Sequence, residues 1–381
     1  MPRELAPITF DAALAGLADA ADGGETVRIA GAGTKRGWAP ATADPDVEIR
    51  TTGLDRIVEH NAGDLTAVLE AGVPLARAQQ QFAASEQMLA LDPDLGPRHE
   101  ATIGGIIASA DSGPLRHRYG AVRDLILGIT VALSGGTIAR SGGKVIKNVA
   151  GYDLGKLFAG SFGTLGVILS ANVRLHPLPT ATATVLGVRE DPGELAAAAR
   201  ALAAAPLELD ALDVTWRMGR GGILGQCGGT AARRRAEDVA RLMREAGLRG
   251  VEIVADDAEL WARQRAGQRS ARRALMKVAA RPSALADVLR AAEAASATVV
   301  GRAALGHSYV EVEPGAVREL IARLPGGAVY TLLDAPPESA AAEITRWGPA
   351  PAAPALELMR RVKARFDPTG TCNPGALVGG I

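Results

Sequence analysis

The chain has 381 residues, and its 42 Lys and Arg residues balance its 42 Asp and Glu residues. This length can form two modest domains with substantial cores, and the zero net charge argues against nucleic acid or an anionic membrane as the main partner. The two cysteines, Cys227 and Cys372, lie far apart. They argue against a disulfide framework, a cysteine zinc site or an iron–sulfur cluster held by this chain alone.

The N-terminal residues contain no apolar core with basic flanks, and no apolar run reaches about 18 residues. We therefore expect a cytoplasmic protein without a signal peptide or an integral membrane segment. Any association with the inner face of the plasma membrane would go through partners.

The first 179 residues are predicted to form a mixture of strands and short helices. Thr9 is a suitable N-cap for the first helix, and Pro74 suits the first turn of the second helix because it lacks an N–H. Gly135-Gly136 between apolar runs predicts a hairpin. The predicted elements are a helix at 9–21, a strand ending in a glycine loop at 26–33, a strand from 47, a strand at 65–70, a helix at 74–83, the hairpin at 125–140 and a closing strand before Pro177 and Pro179.

Beyond residue 179 the order strand, helix, strand, strand, helix, strand occurs twice. This order is typical of the ferredoxin-like unit, and two copies predict one sheet covered by helices. The fold class is therefore α+β. The first copy has predicted strands at 182–188, 208–216, 221–228 and 250–254 and helices at 192–204 and 231–246; the second has strands at 274–280, 297–304, 306–313 and 327–333 and helices at 283–295 and 315–323.

Three segments rich in glycine and hydroxyl side chains stand out, at 31–34, 102–113 and 160–168. Glycine weakens helices and strands by roughly 0.5–1 kcal/mol relative to alanine, so this density indicates positive φ angles or close approach to a ligand. The first segment is not a Rossmann fingerprint, because the glycine after Gly33 is Gly37, one residue too late. A single glycine loop after a strand is most often only a turn; three such segments weaken that interpretation.

These segments, with HRYG at 117–120 and RLHPLP at 174–179, resemble the PCMH-type FAD-binding domain of the vanillyl-alcohol oxidase superfamily. Within it the chain looks like the 2-hydroxy-acid dehydrogenase branch that includes the FAD-binding subunit of bacterial glycolate oxidase. The resemblance implies a two-subdomain FAD-binding domain over 1–179, a ferredoxin-like cap over 180–345 and a C-terminal segment, 346–381, that returns to the FAD domain. The FDP and NPG residues at 366–368 and 373–375 match the family's tail.

The resemblance also implies non-covalent FAD, because neither Ala32 nor Thr34 is the histidine that attaches FAD in some relatives. Tyr119 and Gly120 match a family YG pair, although a core tyrosine before a turn is the alternative. Lys147 is implied near the pyrimidine edge of the flavin, with a surface lysine as the alternative. The other implied FAD contacts are Ala30, Gly31, Ala32, Gly33, Thr34 and Lys35; Thr102, Ile103, Gly104, Gly105, Ser109 and Gly113; and Gly160, Ser161, Gly163, Thr164, Gly166 and Ile168.

Oxidation of a 2-hydroxy acid requires a cation for the carboxylate and a base for the hydroxyl proton. The candidates are His307, in LGHSYVEV, and Arg265, in LWARQRAG, although a structural histidine and a surface arginine are the usual identities of such residues. We find no residue pattern that predicts a metal site.

Three functions remain open. The first is an FAD-binding subunit of a glycolate (D-2-hydroxy acid) oxidase complex, passing electrons between a catalytic flavoprotein subunit and an iron–sulfur subunit. The second is a self-sufficient FAD-dependent D-2-hydroxy-acid dehydrogenase. The third is a non-catalytic assembly subunit with structural FAD. In each case we expect a bulky side chain at Gly104 or Gly163 to prevent FAD binding by blocking close backbone approach.

Overall fold

The structure is a computed structural model that describes residues 2–39, 44–144, 151–270, 272–336, 341 and 344–381. The chain forms two compact units. Unit 1 comprises 1–112, 120–178 and 350–381, and unit 2 comprises 113–119 and 179–349. The sequence-based boundaries lie at 179/180 and 345/346, and they did not anticipate that 113–119 leave the first unit and join the second.

The elements from the N-terminus to residue 177 belong to unit 1, except for α4. They are β1 (Arg3–Leu5), α1 (Phe10–Asp22), β2 (Val27–Ala30), β3 (Val47–Arg50), β4 (Ile57–Asn61), β5 (Thr66–Glu70), α2 (Leu75–Ala83), β6 (Gln87–Met88), α3 (Ile103–Ser109), α4 (Arg116–Tyr119), α5 (Val122–Leu125), β7 (Ile126–Leu133), β8 (Thr137–Gly142), α6 (Leu154–Phe158), β9 (Val167–Arg174) and β10 (His176–Pro177).

Unit 1 contains a three-stranded and a five-stranded sheet that share one core, and a two-stranded sheet formed by β10 and β6. The order β1-β3-β2 makes a parallel three-stranded sheet, and the order β4-β5-β9-β7-β8 makes an antiparallel five-stranded sheet. Helix α1 packs against both, burying Ala13, Leu17 and Ala20 in a cluster with residues of β2, β3, β7 and β9. As predicted, Thr9 caps α1 by accepting the N–H of Ala12. Strand β4 was not predicted, since its HisAsn end breaks the apolar pattern.

The elements after residue 180 form unit 2 apart from the last helix, α12, which returns to unit 1. They are β11 (Thr182–Arg189), α7 (Pro192–Ala204), β12 (Ala211–Arg217), β13 (Arg220–Gly228), α8 (Ala232–Glu245), β14 (Arg249–Val254), α9 (Ala258–Ala266), β15 (Ala274–Ala279), α10 (Leu285–Ala294), β16 (Thr298–Arg302), β17 (His307–Val312), α11 (Val317–Arg323), β18 (Val329–Asp334), β19 (Trp347–Gly348) and α12 (Ala353–Phe366).

Unit 2 confirms the predicted duplication. Its nine-stranded sheet has the order β14-β11-β13-β12-β16-β17-β15-β18-β19. Each copy of the repeat therefore contributes four strands, and the copies meet where β12 pairs with β16. Helices α7, α8, α10 and α11 share the main core of this unit with the sheet. Helix α9 packs elsewhere: the Trp261 indole N–H donates to the Thr184 hydroxyl at 2.7 Å.

The seam between the two copies contains a buried ion pair. Asp213 of β12 lies opposite Arg302 of β16, and the two side chains, 0% and 1% exposed, form a salt bridge. Gln264 of α9 also donates to the Asp213 carboxylate at 2.9 Å. Burial nevertheless raises the pKa of Asp213 to about 6, against the opposing effects of Arg302 and Gln264. Ionising the Asp213 carboxylate is therefore less favourable in the folded protein than in water.

We expect Arg302→Met to destabilise the protein by about 3–5 kcal/mol, because it leaves a buried carboxylate without its cation. An aspartate whose folded pKa lies above its unfolded value loses stabilisation as pH rises, and removing Arg302 raises that pKa further. The loss should therefore be larger at pH 8 than at pH 5, as measured by urea unfolding of variant and parent. Adding Asp213→Asn to the variant should restore much of the loss. Equal losses at both pH values would contradict this account.

Candidate functional site

A cavity of about 400 Å³ lies in unit 1, within the size range of small-molecule sites. It is bounded by the end of β2 and the loop after it, by α3, by the segment before β9 and by the C-terminal tail. The residues predicted from sequence that line it are Ala30, Gly31, Ala32, Gly33, Thr34, Lys35, Thr102, Gly104, Gly105, Ser109, Gly163, Gly166 and Ile168. The three glycine-rich segments therefore meet at one place.

Several predicted contacts do not line this cavity. Ile103 is 2% exposed and packs in the core. Gly113 and Tyr119 belong to unit 2, and Gly120 makes a positive-φ turn against Asp124. The others shape the segment before β9 through backbone contacts: the Gly160 N–H donates to Ile107, and the Thr164 hydroxyl donates to the Ser161 carbonyl. Lys147 lies outside the described residues.

The glycine loop after β2 lies very close to the start of α3. A Cβ on Gly31 would sit 2.1 Å from Thr102 Oγ1, and this same hydroxyl caps α3 by accepting the Gly105 N–H at 3.2 Å. Gly33 has a φ of +80°. Among the described residues, none accepts a hydrogen bond from the N–H of Ala32 or Gly33. Successive free N–H groups in such a turn form a concave anion site.

The C-terminal tail completes the cavity through Asn373. Its side-chain oxygen accepts the Ile29 N–H at 2.7 Å, its side-chain amide donates to the Phe162 carbonyl at 2.5 Å, and its own N–H donates to Val27 at 2.8 Å. A Cβ on Gly163 would sit 2.8 Å from the same amide nitrogen. One asparagine thus joins β2 to the segment before β9.

Lys363 of α12 fixes the tail from the other side. Its ammonium donates to the carbonyls of Thr164 and Cys372 at 2.7 and 2.8 Å and to the Asp367 carboxylate at 2.5 Å. Burial would raise the pKa of Asp367, but the Lys363 hydrogen bond holds it below its usual value. The family match of the NPG residues was the signal in the sequence for this contact.

Other lining residues were not among the predicted FAD contacts. They are Thr26, Val27, Arg28, Ile29, Arg36, Ala39, Pro45, Thr51, Ala108, Phe162, Asn373, Pro374 and Ala376. Only Asn373 and Pro374 had a signal in the sequence, the match of the tail; nothing in the local pattern of the rest marks them. Two of them, Arg28 and Arg36, bring positive charge to the cavity. Lys35 is paired instead with Asp111 at 3.1 Å, where both side chains are almost fully buried.

A bulky side chain at Gly104 would act on the packing of α3 before it could act on a ligand. A Cβ there would lie 2.7 Å from the Ala71 Cβ and 3.0 Å from the Ala71 carbonyl oxygen. Substitution would therefore first push α3 off the backbone that follows β5. Gly104 is required for packing, so its substitution does not test the approach of a ligand.

The two predicted catalytic residues both lie in unit 2. Helix α9 carries Arg265, half-buried, close enough to Asp213 to favour its charged form. His307 of β17 is paired with Arg302 across the sheet, and its Nδ1 is buried with no partner among the described residues. Burial, followed by the charges of Arg116, Lys277 and Arg302, lowers the pKa of His307 to about 3. The imidazole is therefore neutral at physiological pH.

Two cations flank a buried tyrosine on the same sheet. Lys277 Nζ and Arg302 Cζ lie 5.9 and 6.0 Å from the Tyr309 ring centroid. The Nε and Nη2 atoms of Arg302 are buried and have no partner within the described part of the chain. Arg116, Lys277, Arg302 and the neutral His307 form a cationic cluster, and Asp213 forms a salt bridge with its Arg302.

Within the described ranges, no group of three or more His, Cys, Asp and Glu side chains is placed to hold a metal ion. Across those same ranges, no helix has the length and hydrophobicity that crossing a membrane requires.

Comparison with known proteins identifies the cofactor of the chain. Residues 6–142 match the FAD binding domain family, and residues 346–377 match the C-terminal domain of FAD linked oxidases. The chain is 40% identical over 139 residues to glycolate oxidase subunit GlcD of Bacillus subtilis, and 38% identical over 128 residues to glycolate oxidase subunit GlcE of Escherichia coli. These matches cover 36% and 33% of this chain and 29% and 36% of the relatives.

A D-2-hydroxyglutarate dehydrogenase of Stutzerimonas stutzeri is 36% identical over 150 residues, which is 39% of this chain and 32% of that protein. The chain thus spans about a third of the length of the curated relatives it matches. An alkyldihydroxyacetonephosphate synthase structure shares the fold, with a TM-score of 0.71 and 12% identity over 97% of this chain and 76% of that one. Domain match and fold together identify a PCMH-type FAD-binding domain with FAD as its cofactor.

The residues of the cavity fit this cofactor. The free N–H groups of Ala32 and Gly33 suit a phosphate anion. The absence of side chains at Gly31 and Gly33 leaves the backbone open to close approach. Backbone donors are already fixed in place, so they bind with little entropic cost.

We expect Asn373→Gly to weaken FAD binding about tenfold or more. Glycine tolerates the positive φ of this position, so the change removes only the side-chain bridge between Ile29 and Phe162. Titration of apoprotein followed by flavin fluorescence measures the dissociation constant. Asn61→Gly, at the end of β4 and outside the cavity lining, is the control and should leave the dissociation constant unchanged. Unaltered binding by Asn373→Gly would show that the bridge is dispensable.

Ala108→Leu should leave the fold intact yet greatly reduce FAD occupancy, because Ala108 lines the cavity and the longer side chain occupies part of it. The matched control is Ala15→Leu on the exposed face of α1. Flavin absorbance relative to protein absorbance gives the occupancy, and circular dichroism checks the fold. Full occupancy in a folded Ala108→Leu variant would place FAD elsewhere.

Proposed function

We propose that this protein is an FAD-dependent oxidoreductase that takes part in oxidising a 2-hydroxy acid to a 2-oxo acid, as the FAD-carrying subunit of a glycolate oxidase-type complex. The observation that carries the proposal is the cavity at which the loop after β2, the start of α3 and the segment before β9 converge. The sequence similarity to glycolate oxidase subunits GlcD and GlcE and to D-2-hydroxyglutarate dehydrogenase supports the substrate class.

The cationic cluster of unit 2 supports the same substrate class. A 2-hydroxy acid carries a carboxylate, which prefers a cationic hydrogen-bond donor such as a guanidinium. The unpartnered Nε and Nη2 of Arg302, with Lys277 nearby, are such donors. The positive charges that surround His307 would therefore be partly neutralised by the substrate.

In a chain that oxidises the substrate itself, His307 is the candidate base. Burial and the neighbouring cations lower its pKa to about 3, which keeps the imidazole unprotonated at neutral pH. A substrate carboxylate bound to those cations would offset part of their charge and raise this pKa, so that Nδ1 can accept the proton of the substrate hydroxyl. FAD, when bound, supplies the acceptor for the hydrogen and electron pair that leave the substrate carbon. Neighbouring cations make the imidazolium less stable, so the proton must then pass on to solvent or to a second base.

In the proposed complex, a catalytic flavoprotein subunit and an iron–sulfur subunit are the partners, and FAD in this chain relays electrons between them. The complex would be cytoplasmic or held at the inner face of the plasma membrane through its partners. Genes for a longer flavoprotein and a cysteine-rich protein beside this one would support the assembly.

The second candidate is a self-sufficient D-2-hydroxy-acid dehydrogenase. The neutral, buried His307 beside Arg302 is the observation that favours it, because this chain alone then holds both a base and a carboxylate partner. In an assembly subunit with structural FAD, these groups would have no chemical role.

Anaerobic mixing of the FAD-loaded protein with glycolate or D-lactate separates these candidates. The subunit role predicts reduction of the flavin only after the partner subunits are added. In a self-sufficient enzyme, the substrate reduces the flavin and bleaches its absorbance without partner subunits. In a self-sufficient enzyme, His307→Asn should slow this reduction by about 10²-fold or more, since a general base contributes roughly that much. Electron relay from a catalytic partner subunit should not depend on His307. His99→Asn, at an exposed histidine, is the control. A flavin that stays oxidised under both conditions would leave only the structural role.

A further inference from the structure

A group of arginines surrounds one buried carboxylate beside the cavity. Glu48 of β3 is 3% exposed. Arg36 donates to its Oε1 at 2.5 Å, Arg50 forms a salt bridge with the same oxygen at 2.9 Å, and Arg28 of β2 lies 3.6 Å from its Oε2. Arg50 also pairs with Glu4 at 3.0 Å. Arg28 and Arg36 line the cavity, whereas Glu48 does not.

One arginine is enough to satisfy a buried glutamate in this protein. Glu70 is 1% exposed, and among the described residues Arg56 is its one ion-pair partner. Arg56 donates two guanidinium N–H groups, at 3.0 and 2.7 Å, and its backbone N–H, at 2.9 Å, to the carboxylate. Glu48 has three arginines instead of one. The additional guanidiniums are therefore not explained by the burial of Glu48.

Charge and donor groups are both in excess at this position. Three arginines face two glutamates, and the neighbouring Lys35 is already paired with Asp111. Each guanidinium carries five N–H donors in a fixed planar arrangement, far more than Glu48 can accept. Arg28 and Arg36 remain 22% and 48% exposed, so they retain access to a ligand in the cavity.

We propose that Arg28 and Arg36, held in place by Glu48, bind the diphosphate of FAD and supply the charge that the glycine loop lacks. Guanidinium groups match the geometry of phosphate oxygens and bind them through charged hydrogen bonds. The glycine loop contributes neutral N–H donors to the same anion. Glu48 acts as a positioning residue, because two guanidiniums of like charge stay together only when an anion lies between them.

This inference rests on the FAD site of the proposed function. It requires in addition that part of the affinity for FAD comes from ionic attraction to the diphosphate. Attraction between charges that are partly exposed to solvent weakens as salt is added. FAD and ADP carry the diphosphate, whereas riboflavin has none.

The test uses the full chain as apoprotein, with FAD, ADP and riboflavin as ligands at low and high salt. Arg36→Gln and Arg28→Gln should each weaken the binding of FAD and of ADP about tenfold and reduce the salt dependence of both dissociation constants. The binding of riboflavin should stay unchanged. Arg77→Gln is the matched control: Arg77 is 52% exposed and paired with Asp55, and it does not line the cavity. Arg36→Lys retains the charge and should retain most of the salt dependence.

Circular dichroism and thermal melting establish that each variant is folded. FAD binding by folded Arg36→Gln and Arg28→Gln within about twofold of the parent would overturn the inference, as would equal losses for FAD and riboflavin. Either result leaves FAD binding and substrate oxidation by the parent intact. A parent protein that binds no FAD at micromolar concentration would instead refute the proposed function along with this inference.

Discussion

The cavity of unit 1 depends on the close approach of two backbone segments that are distant in sequence. Gly31 lies against the Thr102 hydroxyl, at a distance that leaves no room for a Cβ. Because Thr102 also caps α3, the end of β2 and the start of α3 become a single surface. Any side chain at residue 31 would separate the two segments and open the wall of the cavity.

The C-terminal tail turns this surface into an enclosed site. Asn373 bonds to β2 and to the Phe162 carbonyl at once, and Lys363 ties α12 to the segment before β9. The match of residues 346–377 to the C-terminal domain of FAD linked oxidases has a physical basis in these contacts. The tail is a structural part of the cavity, although it lies far from the glycine segments in sequence.

Unit 2 shows how a duplicated fold can acquire different properties in its two halves. In the first copy, Asp257 and Trp261 bond to the Thr184 hydroxyl and hold α9 against the sheet. In the second copy, the strands carry Lys277, Tyr309 and His307, and the seam between the copies holds the Asp213–Arg302 pair. The same backbone pattern thus supports a hydrogen-bonded network around Thr184 in one half and a cluster of cationic and aromatic side chains in the other.

The sequence by itself determined the local elements, the two copies of the repeat and the three glycine segments, because periodicity, caps and turns are set by residues close together in the chain. Only the tertiary structure decided which segments meet. It brought Asn373 to Ile29, 344 positions away, placed Arg36 beside Glu48, and moved Gly113 and Tyr119 into unit 2. Local patterns indicate where a chain turns, but remote contacts depend on how whole sheets and helices pack, and no short stretch of sequence encodes that packing.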